Sequence, residues 1–330
     1  MRALQIVELT GPESALRAVE LPEPEASHLL TPGSGVVIDV HVAGVSFPEV
    51  LQTRGEYQVK PPLPFVPGSE VAGTVRSASE GSAFSPGDRV AAFCMLGGFA
   101  EVVVAPEWMT FALPDALDFA QGAGLVLNYH TAYFSLVTRG RLVAGETVLV
   151  QGAAGGVGTA AIQVAKGLGA RTIAVVSSDA KERVAREAGA DDVVRVEGFK
   201  DAVKELTDGG VDLVLDPVGG DRFTDSLRCL AEGGRLVVVG FTGGSIPEVK
   251  VNRLLLKNTE VIGAGWGAYA LAKPELNTQI GAALDELIAG GAVRPVVGPR
   301  FAFADAAEAL QAIDGRTATG KVVLDVRPPA

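Results

Sequence analysis

The stretch Thr147-Val-Leu-Val-Gln-Gly-Ala-Ala-Gly-Gly-Val-Gly158 decides the fold of this 330-residue chain. A strand, Thr147–Gln151, runs into a loop of small residues from Gly152 to Gly158. Val157, Ala160, Ala161, Val164, Ala165 and Leu168 then recur at helical spacing up to Gly169. A helix that begins on such a loop aims unpaired amide N–H groups and the positive end of its dipole at one point, which favours an anion. Gly155 and Gly156 let a backbone approach a pyrophosphate, and Gly158 lets the helix press on the strand. Ala153 stands where the first glycine of GxGxxG usually is, and a small residue still fits that turn. The alternative reading of the same residues is a plain tight strand-to-helix turn.

Outward from this loop the alternation repeats. Strand Arg171–Ser177 leads to helix Ala180–Ala188, strand Asp192–Val196 to helix Lys200–Leu206, and strand Val211–Asp216 to helix Arg222–Ala231, with strand Gly234–Gly240 after it. Strands that recur after helices pair in parallel through right-handed crossovers, so the class is α/β with a doubly wound parallel sheet. Residues 1–122 read instead as short strands broken by turns: Arg2–Glu8, Val36–Val45, Val71–Ser77, Asp88–Phe93 and Phe99–Val104. The tail returns to that character, with a helix near Leu276–Ala289, a strand near Val293–Val297, a helix Ala304–Asp314 and a strand Lys321–Val326. The expected organisation is a discontinuous β-rich domain, 1–122 and 266–330, with a nucleotide domain, 123–265, inserted into it.

The tip of the second strand chooses the nucleotide. An acidic residue about 20 positions beyond the glycines would bond a ribose 2′-hydroxyl and select NAD. Ser177 and Ser178 fall there, followed by Lys181; two hydroxyls and a cation suit a 2′-phosphate, so NADPH is expected. Two other readings stay open: Ser178 or Asp179 caps the next helix, and Asp179 restores an NAD preference.

Composition narrows the partners. Net charge is −11 and no basic run occurs, which disfavours nucleic acid. The uncharged stretches Phe119–Thr138 and Thr147–Ala165 hold too many polar residues and glycines for a lipid-facing helix, so no membrane span is expected. Cys94 and Cys229 cannot build a disulfide framework or a four-thiolate zinc cage, and no charged-then-apolar leader precedes Leu4. A reducing cytoplasm is expected. His28 and His41 lack ligand-like spacing and read as structural.

The motifs Gly44-Val-Ser-Phe-Pro-Glu49, Pro64-Phe-Val-Pro-Gly-Ser-Glu-Val-Ala-Gly73, Gly152–Gly158, Asp216-Pro-Val-Gly-Gly220, Gly234-Arg-Leu-Val-Val-Val-Gly-Phe241, Leu255-Leu-Lys-Asn258 and Gly320-Lys-Val-Val-Leu324 run end to end. By these the chain resembles the zinc-free quinone oxidoreductase family of the medium-chain dehydrogenase/reductase superfamily. The resemblance implies a GroES-like β-rich catalytic domain, a Rossmann domain and an active site in the cleft between them. It also implies cofactor contacts at Thr131, Ala154, Gly155, Gly156, Val157, Ser177, Ser178, Lys181, Val218 and Phe241, and a homodimer joined at the edge strand Thr259–Gly263. No metal is expected: Ser46 stands where the zinc enzymes of the superfamily carry a Cys, and Ser69 where they carry a His.

Hydride transfer to a quinone or enone needs no metal, because the conjugated oxygen spreads the incoming charge. The protein then supplies donors to that oxygen, and Ser46, Tyr57 and Asn128 are the substrate-binding candidates. The segment Gln52–Gln58 reads as a loop in which Arg54 or Tyr57 meets substrate, or as a solvated turn. Tyr129 either faces substrate or belongs to the core, and Trp266 either walls a pocket or fills a domain junction. Three functions are weighed: an NADPH-dependent quinone reductase; an NADPH-dependent enone, alkenal or enoyl-thioester reductase; and a crystallin-like protein that binds NADPH with little turnover.

Overall fold

The computed structural model describes residues 1–327. Its first part holds β1 (Arg2–Ile6), β2 (Leu16–Glu20), β3 (Val36–Val45), α1 (Phe47–Gln52), β4 (Glu70–Ala78), β5 (Arg89–Phe93), β6 (Val102–Ala105), β7 (Thr110–Ala112) and α2 (Phe119–Gly122). A helical run, 126–139, follows, in which α3 (Thr131–Tyr133) is flanked by π-helical turns. Alternation then sets in: β8 (Thr147–Val150), α4 (Gly156–Gly167), β9 (Arg171–Val176), α5 (Asp179–Glu187), β10 (Asp192–Arg195), α6 (Phe199–Leu206), β11 (Val211–Asp216), α7 (Phe223–Arg228), β12 (Leu230–Val238), α8 (Asn252–Lys257) and β13 (Glu260–Gly263). The chain continues through α9 (Trp266–Ala272), α10 (Pro274–Ala289), β14 (Val297–Ala302), α11 (Ala306–Asp314) and β15 (Lys321–Asp325).

Two units result: residues 1–127 together with the chain from Pro295 onward, and Asn128–Arg294. In the first, a sheet runs β14-β15-β3-β4-β5-β7, with β6 pairing β3. The C-terminal β15 lies antiparallel to β3, Val322 opposite Val45 and Leu324 opposite Ala43, so the tail completes the sheet begun by the first hundred residues. Strand β3 is apolar almost throughout because it is a central strand covered on both sides. Ile38, Val40 and Val45 meet Val71, Val90, Phe99, Leu310 and Leu324 in one core. Burying each such side chain stabilises the unit by roughly 1.5–3 kcal/mol.

The second unit carries the expected doubly wound sheet, six parallel strands in the order β10-β9-β8-β11-β12-β13. The order reverses direction at β8, which places the loop after that strand at the switch point where such sheets take ligands. Leu149, Ile173, Val175, Val214 and Leu236 form its core with Phe199, Phe223 and Leu227 from the covering helices.

The boundaries differ from the expectation in two segments, of which the shorter, residues 123–127, stays with the β-rich unit. Residues 266–294 sit with the nucleotide unit, because α10 buries Ile280, Leu284 and Ile288 there and its neighbours pack on that unit's own aromatics. The Trp266 ring lies 5.5 Å from His130 and its indole N–H reaches Asn277 Oδ1 at 3.1 Å, while Tyr269 packs 5.1 Å from Phe134. Several element bounds shift by a few residues as well, as in the late strand and α7. The late strand is Val297–Ala302, selected by parallel pairing with β15, and α7 stops at Arg228 because Leu230 already pairs with Val211. Among the described residues no helix is long and apolar enough to cross a membrane.

Candidate functional site

The nucleotide unit builds its site on the loop between β8 and α4. Gly152 has φ +60°, so the position that requires glycine for its backbone is one residue ahead of Ala153. This explains why alanine is tolerated there: Ala153 is fully buried in ordinary conformation. A Cβ on Gly158 would stand 2.3 Å from the Gly152 carbonyl oxygen, which is the close approach of helix to loop that the pattern implies. Gly155 caps the helix in extended conformation, and a Cβ there would find only the Gly152 oxygen, at 3.5 Å. The start of α4 is thus open, with unpaired amides aimed outward, which fits a pyrophosphate.

The other nucleotide-side residues gather near this loop. Val218 lies against it, its Cγ2 3.1 Å from where a Gly152 Cβ would be. The turn carrying Val218 is held by Asp216, whose buried carboxylate accepts the Val218 and Gly219 N–H groups at 2.8 and 2.9 Å. Burial pushes that carboxyl above its ordinary value, against these two hydrogen bonds. Phe241, 39% exposed, rests on the Gly219 turn. Thr131 is buried on α3, which packs on α4.

At the end of β9, Ser178 is the cap of α5: its Oγ accepts the Lys181 N–H at 3.3 Å. Ser177 is exposed and its Oγ accepts from Lys181 Nζ at 3.2 Å. Asp179 lies past the cap, inside the first turn of α5. Arg195 pairs with Asp179 at 2.5 Å and with Glu182 at 2.7 Å.

Asn128 belongs to this cluster. Its buried amide occupies the space a Gly156 side chain would fill, Nδ2 2.4 Å from the Cβ position, so it braces the first turn of α4. Tyr129 is core: its hydroxyl donates to Gln163 Oε1 at 2.7 Å on α4, and that oxygen also accepts the Arg294 N–H. Trp266 is likewise buried, with its ring beside His130 of the same unit.

The β-rich unit holds a second cluster, centred on Ser46. Glu49, three residues into α1, reaches back to the Ser46 N–H at 2.9 Å and also accepts the Ser69 N–H and hydroxyl at 3.0 and 2.6 Å. Lys321 Nζ donates to Ser46 Oγ at 2.8 Å and to Glu70 Oε2 at 2.7 Å. The other Glu70 oxygen accepts the Leu127 N–H at 2.8 Å. Burial pushes the carboxyls of Glu49 and Glu70 above their ordinary values, and the Lys321 charge pulls both back. Tyr57 borders this cluster; burial and then the Glu49 charge push its phenol up, and it lines a crevice of about 200 Å³ with Leu9, Val59, Leu63 and Phe65. Arg54 does not join it, being held bidentate by Asp314 at 3.0 and 2.6 Å.

Glu49, Ser69, Glu70 and Lys321 were absent from the sequence-derived candidates. Two signals in the sequence mark them: Ser46-x-x-Glu49 is a capping-box pattern, and Glu70 and Lys321 are opposite charges heading apolar strands. Ser46 and Ser69 are thereby committed to Lys321 and Glu49, and an ammonium lies 2.7 Å from the nearest carboxylate. This donor set does not fit a divalent metal, which calls for thiolate, imidazole or uncompensated carboxylate ligands. His28 and His41 are structural, the one bonded to the Cys94 carbonyl and the other stacked on Phe119. Among the described residues no three or more His, Cys, Asp or Glu side chains form a group that could hold a metal.

Residues 32–115 match the family described as Alcohol dehydrogenase GroES-like domain, and residues 156–281 the family described as Zinc-binding dehydrogenase. The chain is 38% identical over 300 residues to the Quinone oxidoreductase-like protein 2 homolog of Nematostella vectensis, covering 89% of this chain and 82% of that one. It belongs to the quinone oxidoreductase-like family of the medium-chain dehydrogenase/reductase superfamily. Solved structures agree. A probable oxidoreductase from Mycobacterium abscessus is 46% identical with TM-score 0.88, covering 98% of both chains. The quinone oxidoreductase from Thermus thermophilus, solved also as its complex with NADPH, is 36% identical with TM-score 0.80, covering 99% of this chain and 100% of that one. Membership makes the chain an oxidoreductase enzyme of a family whose members include NADPH-binding proteins.

Proposed function

We propose that this oxidoreductase is an NADPH-dependent, zinc-independent quinone reductase acting as a homodimer. The observation that carries the cofactor reading is the strand tip after β9. Ser177 and Lys181 offer a hydroxyl and an ammonium there, while the nearby carboxylates of Asp179 and Glu182 are both paired with Arg195. The Ser177 hydroxyl and Lys181 ammonium suit a 2′-phosphate. The amides of Ala154, Gly156 and Val157 would hold the pyrophosphate at the start of α4, and Gly155, whose N–H is donated to the Gly152 carbonyl, would give it room by lacking a side chain. Thr131, Val218 and Phe241 would border the nicotinamide. NADPH, when bound, supplies the hydride. The protein's part is to position the cofactor and to offer donors to the substrate oxygen, from Ser46 and Tyr57.

Asn128, expected from the sequence as a third donor to substrate, serves here as a brace of the nucleotide loop. The zinc-independent reading rests on the Lys321 ammonium and the engaged serines that stand in place of metal ligands. The homodimer rests on β13, the edge of the six-stranded sheet, whose Val261 is 38% exposed.

The test is oxidation of NADPH and of NADH, followed at 340 nm, against a naphthoquinone, phenanthrenequinone, an enal and crotonyl-CoA, with and without chelator. Quinone turnover that prefers NADPH and ignores chelator is expected. Turnover confined to the enal or thioester would replace quinone reduction by double-bond reduction. Tight NADPH binding without turnover would make the chain a nucleotide-binding protein.

A further inference from the structure

We propose that Lys321, held by Glu70, is the proton source of the reaction and delivers through the Ser46 hydroxyl to the oxygen of the reduced substrate. This rests on the reading of the chain as a hydride-transferring reductase of conjugated carbonyls, and it assigns the proton that such a reaction consumes.

The geometry is directional. An ammonium has donors only, so in the 2.8 Å contact Lys321 donates and Ser46 Oγ accepts. The Ser46 hydroxyl keeps its own proton for another acceptor, and among the described residues it has none. Accepting a charge-assisted bond also makes that hydroxyl a stronger donor. Exposure sets the order of the chain: the Glu70 and Lys321 side chains are 0% and 3% exposed, whereas Ser46 is half-buried. A proton leaving the buried pair therefore exits through Ser46.

The fold reserves space for this lysine. A Cβ on Gly44 would stand 2.6 Å from Lys321 Cε and 2.9 Å from Nζ, and one on Gly124 would stand 3.0 Å from Cγ. Two glycines thus form the walls of a slot along which the side chain runs. The slot sets the ammonium between a carboxylate and a hydroxyl, Glu70 on one side and Ser46 on the other.

The step balances. Once the substrate has gained a hydride, which is one proton together with two electrons, its conjugated oxygen carries one negative charge. The Ser46 O–H bond breaks as an O–H bond forms on that oxygen. Ser46 Oγ regains a proton as one N–H bond of Lys321 breaks, leaving a neutral amine beside the Glu70 carboxylate. After product leaves, a proton from water returns through Ser46 to Lys321, so one solvent proton is consumed per substrate reduced.

The test compares wild type with Ser46→Ala and Lys321→Arg, all checked for melting temperature and NADPH affinity. Arginine keeps the ion pair with Glu70 but does not give up a proton at working pH. Both variants are expected to bind NADPH within twofold of wild type and to lose about 100-fold in kcat, the scale of a positioned proton donor. The combined variant should lose no more than either alone, because the residues act as one unit. A second readout needs no turnover: 4-nitrophenolate, titrated into the NADP⁺-saturated protein, should bind at least about tenfold more weakly to Ser46→Ala, as loss of one hydrogen bond to a charged oxygen demands. A Lys321→Arg enzyme with wild-type kcat, or a Ser46→Ala protein that binds the phenolate as wild type does, overturns the relay. If wild type reduces no conjugated carbonyl, the functional reading fails by itself, and the phenolate titration still decides the donor.

Discussion

The ammonium of Lys181 lies 3.2 Å from the hydroxyl of Ser177, one turn of helix beyond the end of β9. The pair places one cation and one hydroxyl where a carboxylate would select the unphosphorylated nucleotide. Lys181→Ala is expected to weaken NADPH about 10- to 100-fold, the worth of a charge-assisted bond to phosphate, and to leave NADH within twofold. Fluorescence titration of both nucleotides measures this. Equal weakening of the two would remove the 2′-phosphate assignment.

Two glycines of one loop should fail in different ways. A methyl on Gly158 meets the Gly152 carbonyl oxygen at 2.3 Å, and backbone cannot yield cheaply, so Gly158→Ala should cost about 1–3 kcal/mol of stability. Gly155 has room at 3.5 Å and φ −87°, so Gly155→Ala should melt as wild type does and lose nucleotide affinity instead. Thermal melts and NADPH titrations of the two variants side by side separate packing from ligand approach.

His130 makes the nucleotide unit sensitive to acid. Burial pushes its pKa from 6.5 down to about 3. Because the folded value lies below the unfolded one, the stability that neutral His130 contributes is present above pH 6.5 and is lost as pH falls toward 3. Over that window the unfolded state holds one more proton, so unfolding free energy should drop about 1.4 kcal/mol per pH unit from this residue. His130→Phe keeps a ring against Trp266 and should flatten the slope by that amount between about pH 6 and pH 4.5 in denaturant unfolding. An unchanged slope would mean that His130 protonates within the fold.

The edge of the parallel sheet predicts the assembly. Strand β13 ends the order, with Val261 38% exposed and Leu255 and Leu256 on neighbouring α8 exposed at 76% and 78%. Light scattering at micromolar concentration should give twice the 33.9 kDa chain mass. Val261→Lys should shift it to a single chain, since a charge at a paired edge opposes strand addition. A single-chain mass for the unaltered protein would overturn the dimer.

The doubly wound sheet and its glycine loop were legible in the sequence because both depend on local chemistry. Strand and helix periods alternate from Thr147 to Gly240, and the requirement for small residues at Gly152 and Gly158 is written as the residues themselves. The return of the tail to the first sheet was legible too, from the apolar run after Lys321. The placement of residues 266–294 was not, since an amphipathic helix states that it has a partner without stating which one.

What tertiary structure alone decided is the company each polar residue keeps. Ser46 looked like a lone hydroxyl, and Glu70 and Lys321 like ends of strands 251 positions apart. Antiparallel pairing of β3 with both β4 and β15 brings the three together, and the absence of side chains at Gly44 and Gly124 lets the lysine lie between them. Asn128 moved the other way, from a substrate donor to a brace against Gly156, because the π-helical turn that carries it packs on α4. Periodicity and motif spacing encode elements and the backbone's need for small residues. Which buried charge faces which hydroxyl is a relation across the sheet, and sequence order carries no distance for it.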